Sequence, residues 1–173
     1  ALYLIELTPT TASKDEATAL IETVSNSLSE GAELIETQVS ADHKLIFAII
    51  ESENTAFAPA LTAAIGERAS VVGPDEVRLV GAELDDIKKL KKDADYLVEW
   101  DIPAEITMEQ YLTRKKANAP KYAEVPEVSF LRTYVREDTA KCLCFYDAPD
   151  EDAVLRARKA VSTPIDRLFK LHA

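Results

Sequence analysis

The chain has 173 residues, a hydrophobic fraction of 47% and a formal charge of -11 from 31 acidic and 20 basic side chains. That is enough apolar material for one ordinary core or two small ones, and the acidic excess repels phosphate backbones and anionic headgroups, so neither nucleic acid nor a membrane surface is expected as a partner. No apolar run approaches the ~20 residues of a membrane-spanning helix, and the opening ALYLIELTP lacks the basic start and long apolar stretch of a signal peptide, which predicts a cytoplasmic protein.

Residues 2–7 alternate and are closed by Thr8-Pro9, which predicts a strand ending at a proline. Ser13 with Glu16 three positions on fits a capping box, and Ala17, Leu20, Ile21, Val24 and Leu28 follow at helical spacing until Gly31. Residues 34–39 and 44–51 read as two strands of a hairpin joined by Ser40-Ala41-Asp42-His43. An alanine-rich helix is expected over 55–69, with Pro59 tolerated in its first turn, and a last strand over 76–80 after a Gly73-Pro74 turn. The order is β-α-β-β-α-β, the split βαβ plan of ferredoxin-like domains.

Charge then dominates a connector over 83–94, whose Leu84, Ile87 and Leu90 give a short helix one narrow apolar stripe. The plan starts again at 96–103, YLVEWDIP, an echo of YLIELTP at 3–9. Thr107 caps a helix through Met108, Tyr111 and Leu112, which Pro120 ends or breaks into a second short turn. Residues 130–147 repeat 34–51 at a constant offset: Thr133 falls on Thr37, Val135 on Val39, Asp138 on Asp42, and 142–146 on 46–50. A helix over 150–161 and a strand over 166–171 complete the second copy. The chain is thus expected to contain a degenerate ferredoxin-like domain over 1–82, the connector, and a second domain over 95–173.

Strands covered by helices on one face should keep the other face polar, yet 46–50 and 142–145 are apolar on both. The expectation is an α+β protein in which two tandem ferredoxin-like domains pack sheet to sheet, ~10 Å apart, as a pseudo-dimeric α+β barrel. A crevice between sheets or beneath the helices would then hold a ligand.

Cys142 and Cys144 stand two apart on one strand, facing the same way but too distant for an unstrained disulfide, so they read as thiols. Two thiols on one face suit a soft metal ion such as nickel, copper(I) or zinc; buried cysteine also serves simply as a small hydrophobe. Thr133, Tyr134, Cys144 and Tyr146 are expected to meet across the hairpin and to orient a small ligand, the alternative being aromatic packing. His43 reads as a turn residue and His172 as a near-terminal one, with no nucleophile to serve. Glu99, Asp101 and the equivalent Glu6 read as solvated edge-strand charges, and Arg114-Lys115-Lys116 as a solvated helix face. With four glycines there is no phosphate-cradling loop, and no catalytic signature is present.

The second half carries YLVEWDIP, Thr133-Tyr134-Val135, Asp138, Cys144-Phe145-Tyr146-Asp147-Ala148-Pro149, the helix start Glu151-Asp152-Ala153 and Pro164-Ile165-Asp166-Arg167-Leu168 in an order that resembles a small ferredoxin-like domain described as nickel-responsive or nickel-binding. Members of that family are usually standalone and dimeric. The resemblance implies a ferredoxin-like fold and a non-enzymatic metal- or small-ligand-binding role, with nickel as the implied metal. Ala157 stands where members commonly carry a histidine. The other readings are a cofactor-free small-molecule enzyme of the same barrel architecture, and a structural protein acting as a homo-oligomer or within a larger assembly.

Overall fold

The structure, a computed structural model, describes residues 1–90 and 92–171. His172 lies outside the described residues. The chain divides into two compact units, one built from residues 1–77 and 84–90, the other from 78–83 and 92–171.

The first unit contains β1 (Leu2–Pro9), α1 (Lys14–Ser27), β2 (Glu33–Val39), β3 (Ile46–Glu51), α2 (Ala58–Ile65) and most of β4 (Ala69–Val80), followed by the short α3 (Leu84–Lys88). Its strands lie in the order β2-β3-β1-β4, all neighbours antiparallel. The Ser13 Oγ accepts the Glu16 N–H at 3.1 Å to start α1, a cap worth about 1 kcal/mol over alanine. The Glu16 carboxylate meanwhile pairs with Arg68 at 3.0 Å. Leu20 and Val24 of α1 and Leu61 and Ile65 of α2 close one core with Ile5, Leu7, Ile46 and Ala48. In α3, Ile87 is buried and Lys88 pairs with Glu33 at 3.2 Å and Glu51 at 3.1 Å.

The second helix and the last strand of this unit differ from the sequence expectation. Gly66, at φ +58, closes α2, and β4 begins at Ala69 instead of after Gly73-Pro74. The glycine and proline sit inside the strand because the pairing with β1 shifts register there, between Leu4 and Glu6. An irregularity of this kind tolerates a residue with no N–H to give. Gly73 takes φ +103, and a Cβ on it would stand 2.5 Å from the Leu4 carbonyl oxygen, so the close approach of the two strands requires glycine.

The second unit holds β5 (Tyr96–Asp101), α4 (Met108–Asn118), β6 (Ser129–Arg136), β7 (Lys141–Asp147), α5 (Glu151–Ala160) and β8 (Arg167–Lys170), with strands ordered β6-β7-β5-β8. Element order and strand order therefore match those of the first unit, and both are ferredoxin-like. Thr107 and Gln110 form a complete capping box ahead of α4. After α4, Pro120 cannot donate in an α-helix, and the chain continues as a 3₁₀ segment over 119–124.

Details of the two hairpins repeat as well. Register shifts fall between Leu34 and Glu36 in one and between Phe130 and Arg132 in the other, which are aligned positions. At the tips, Asp42 accepts the Lys44 N–H and Asp138 the Ala140 N–H, each at 3.0 Å, and the residue between takes a left-handed conformation in both: His43 at φ 60, Thr139 at φ 61.

Both central hairpin strands are buried on two faces, as their composition requires. Ile46, Ala48 and Ile50 join the helix-side core of the first unit while Phe47 and Ile49 are buried on the reverse face. Cys142, Cys144 and Tyr146 do the same against α4 and α5, with Leu143 and Phe145 behind them. Glu99 departs from the edge-strand reading: β5 is an interior strand, and Glu99 is 3% exposed, held by Lys141 at 2.7 Å and Arg167 at 2.8 Å. Among the described residues no helix is long and apolar enough to cross a membrane.

Candidate functional site

Strand register assembles the site. Across β6, β7 and β5, three rows face the helices: Thr133–Cys144–Val98, Val135–Cys142–Trp100 and Phe130–Tyr146–Tyr96. The corresponding rows of the first unit read Thr37–Ala48–Ile5, Val39–Ile46–Leu7 and Leu34–Ile50–Tyr3. One scaffold thus presents thiols and extra aromatics in its second copy and aliphatic groups in its first.

Under α4 and the 3₁₀ segment these rows leave a cavity of about 380 Å³, within the ordinary range for small-molecule sites. Its wall is mostly aromatic and apolar, with Trp100, Tyr111, Tyr122 and Phe130 foremost, and both thiols reach it. Gly81, Arg114, Lys116 and Ala119, all exposed, mark its mouth. Tyr122 stacks on Phe130, with ring centroids 5.4 Å apart and an interplanar angle of 5°, and both pack against Tyr146 at 5.9 Å.

A polar line runs along one side. The Tyr122 and Tyr146 hydroxyls are 2.6 Å apart, and Arg158 donates from Nη1 to the Tyr146 hydroxyl at 3.1 Å and from Nη2 to the Pro164 carbonyl at 2.6 Å. Arg158 is 2% exposed, and its Nε has no acceptor among the described residues. On the other side, the Thr133 hydroxyl donates to Cys144 Sγ at 3.2 Å. Lys115 Nζ lies over the Phe130 ring at 4.3 Å, and the Arg114 guanidinium over the Trp100 ring at 5.5 Å. Arg114 also donates to the Ser162 carbonyl.

These surroundings tune the groups. A hydrogen bond from Cys142 holds the Cys144 thiol well below its usual range; burial opposes this, and the Lys115 and Arg158 charges with the Thr133 hydroxyl assist it. Cys142, as the donor to Cys144 and itself buried, is pushed up. Within the pair, Cys144 is the sulfur that ionises first. Burial pushes Tyr122 up to about 12 and raises Tyr146 and Tyr111 as well, so the phenols stay protonated and able to donate. Burial works against the Arg158 charge, but Cys144 and Tyr146 more than restore it, and its pKa is raised.

Of the residues singled out from the sequence, Thr133, Cys144 and Tyr146 share the cavity face of the sheet, and Cys142 lies beside them. Tyr134 does not. It alternates to the reverse face, where its ring meets Phe145 edge-on at 6.0 Å. His43 sits at a hairpin tip of the first unit. Arg114, Lys115 and Lys116, read as a solvated helix face, line the cavity instead. Sequence reading missed Arg158, although it follows Val154 by four positions and so lies on the buried stripe of α5 with Ala153 and Ala157. Tyr122 carried no comparable signal, because its approach depends on the break at Pro120.

Residues 96–171 match the family described as nickel responsive protein, SCO4226-like, so the resemblance read from the second half is a family match over that segment. No curated protein matches the chain. Among solved structures it is similar to a chlorite dismutase candidate, TA0507, at 15% identity and a TM-score of 0.59, over 99% of this chain and 95% of that one. It is also similar to a monooxygenase candidate, FN1347, from Fusobacterium nucleatum at 14% identity and a TM-score of 0.56, over 99% and 90%. At these identities the likeness is one of fold, and it extends along both halves.

The side chains around the thiols do not make a complete cage for the nickel of the family's description. Cys142 and Cys144 offer two sulfurs, and no group of three or more His, Cys, Asp or Glu side chains able to hold a metal occurs among the described residues. Ala157, where the resemblance implies a histidine, is buried at 0% exposure. The nearest charged neighbours are the cations Lys115 and Arg158. Two thiols facing two cations do not close a four-ligand site, so this donor set does not fit a resident metal.

Proposed function

We propose that the second unit is a non-enzymatic binding domain for a small, largely apolar molecule, which enters beneath α4 and rests on the thiol-bearing face of the sheet. The cavity carries this reading: a preformed space of about 380 Å³ with an aromatic wall and a few convergent polar groups, the usual composition of a ligand site. In this reading Cys144 lies on its floor, Thr133 and Tyr146 hold Cys144 and Tyr122 from just outside the lining, and Tyr134 supports the sheet from behind. The first unit, with Ala48 and Ile50 at the matching positions, is the scaffold copy, and the proposed domain division places the connector over 83–94 between the two.

Trp100 is the only tryptophan of the chain and lines the cavity, so its fluorescence reports occupancy directly. Titration of the intact protein with propylbenzene is expected to give a saturable change. A signal that never departs from that of free tryptophan in the same solutions would overturn the reading.

A metal-related role, as the family's description names, is the second reading, with the paired thiols as two ligands of an ion whose remaining ligands come from outside this donor set. Titration with nickel(II), zinc(II) and copper(I) discriminates the two. Binding that is lost in a Cys142→Ala, Cys144→Ala variant supports a thiol-held ion, and equal behaviour of variant and parent removes it.

A further inference from the structure

Arg158 imposes a direction on the hydrogen bonds beside the cavity. A guanidinium can only donate, so the Tyr146 oxygen accepts from Arg158 Nη1 at 3.1 Å. Tyr146 is fully buried, and among the described residues the group placed to take its hydrogen is the Tyr122 oxygen, 2.6 Å away. The reverse arrangement would strand the Tyr146 hydrogen in the core, which is unfavourable for a buried donor. Tyr122 therefore receives, and its own hydrogen is left to donate. Tyr122 is half-buried and lines the cavity. Among the described residues the chain of donors ends there without a further acceptor.

Charge points the same way. In a protein of formal charge -11, every charged residue lining the cavity is basic: Arg114, Lys115, Lys116 and Arg158. Arg158 is buried with no carboxylate partner among the described residues, and its Nε–H is unsatisfied. Cys144 is the acidic group that faces this guanidinium, and one thiol does not balance four basic residues, so an anion seated among them gains a favourable field. Isolated helix lysines would not argue for this; the buried guanidinium and the terminated donor chain do.

We infer that the ligand of this cavity is an apolar monoanion, an aryl or alkyl carboxylate, whose carboxylate accepts from the Tyr122 hydroxyl and lies in the field of Arg158, with its apolar body against Trp100 and Phe130. This rests on the cavity being a ligand site and names the class of molecule it takes. A carboxylate supplies an acceptor for the Tyr122 hydrogen and a negative charge among the four basic residues, while the aromatic wall receives the rest of the molecule.

The test compares propylbenzene, phenylpropionate and phenylpropylamine, read by Trp100 fluorescence on the intact protein. Phenylpropionate should bind at least about tenfold more tightly than propylbenzene, as expected for a hydrogen bond to a charged group, and phenylpropylamine more weakly than both. Tyr122→Phe keeps the ring stack and should erase most of the carboxylate's advantage over propylbenzene, read as the ratio of the two affinities in that variant. Arg158→Gln should do the same, and Tyr122→Phe stands as the independent test if the Arg158 variant does not fold. Equal affinity for the three probes, or a carboxylate preference indifferent to Tyr122→Phe, overturns the inference while the cavity reading stands. Failure of all three probes to bind overturns both.

Discussion

Thr133 and Cys144 face each other in register on β6 and β7, and the threonine hydroxyl donates to the sulfur at 3.2 Å. With the Cys142 thiol donating as well, Cys144 is kept below the ordinary thiol range of about 8.5. Its reactivity toward a small reagent such as methyl methanethiosulfonate should therefore persist as pH falls below that range. Thr133→Val and Cys142→Ala each remove a donor to the thiolate, so the pH at which reactivity is half-lost should rise in both. Mass spectrometry of the modified peptide across pH is the check, and a parent Cys144 that titrates like an ordinary thiol would refute it.

The buried Glu99 holds Lys141 at 2.7 Å and Arg167 at 2.8 Å, and Arg167 also reaches Asp101. Glu99→Ala takes from the largely buried Lys141 ammonium its carboxylate partner at 2.7 Å. We expect a loss of about 3 kcal/mol, at the low end for a broken buried pair because Arg167 is 41% exposed and can turn to water. Urea unfolding gives the value, and a loss below about 1 kcal/mol would place the network with ordinary surface pairs.

At Gly73, an added methyl meets the Leu4 carbonyl oxygen at 2.5 Å, and φ +103 strains any other residue. Gly73→Ala is expected to cost on the order of 2 kcal/mol. The same substitution at Gly31, whose Cβ position is open, carries only the conformational penalty of φ +94 and should cost less. Equal losses at the two positions would show that the contact with Leu4 is not the cause.

Asp42 accepts from Ser40 Oγ at 2.7 Å and from the Lys44 N–H at 3.0 Å, and the Ser40 bond is the larger reason its pKa is lowered. A carboxyl whose folded pKa lies below its unfolded value, about 3.9, stabilises the protein above that value and loses the contribution as pH falls through the folded pKa. Asp42→Ala should lower the melting temperature at neutral pH, with the gap to the parent closing below about pH 4. A gap that stays constant down to about pH 2 would assign the effect to turn geometry alone.

The hairpins, helices and tandem plan were legible because they rest on periodicity and capping: Ser13 and Thr107 cap the helices they mark. The extent of β4 was not, since Gly73-Pro74 reads locally as a turn and only its pairing with β1 makes it part of a strand. Cys142, Cys144, Thr133 and Tyr146 could be placed on one sheet face because strand alternation is periodic. Tyr134 was grouped with them against that alternation, which already assigns neighbours 133 and 134 to opposite faces. Arg158 and Glu99 were harder, because charge ordinarily marks the surface and their burial depends on partners far away in sequence.

Gly81 stands with a φ of +87 where a Cβ would lie 2.7 Å from the Phe130 ring, and that ring stacks on Tyr122. Neither Gly81 nor Val80, which also lines the cavity, falls within the segment 96–171 that the family match covers. A protein trimmed to that segment would lose both from the cavity lining. They lie in the stretch that joins the two copies, which thus helps to shape the cavity of the second. Variation at this joint, outside the recognisable domain, is where changes in what the cavity accepts would accumulate unnoticed by any comparison restricted to the domain itself.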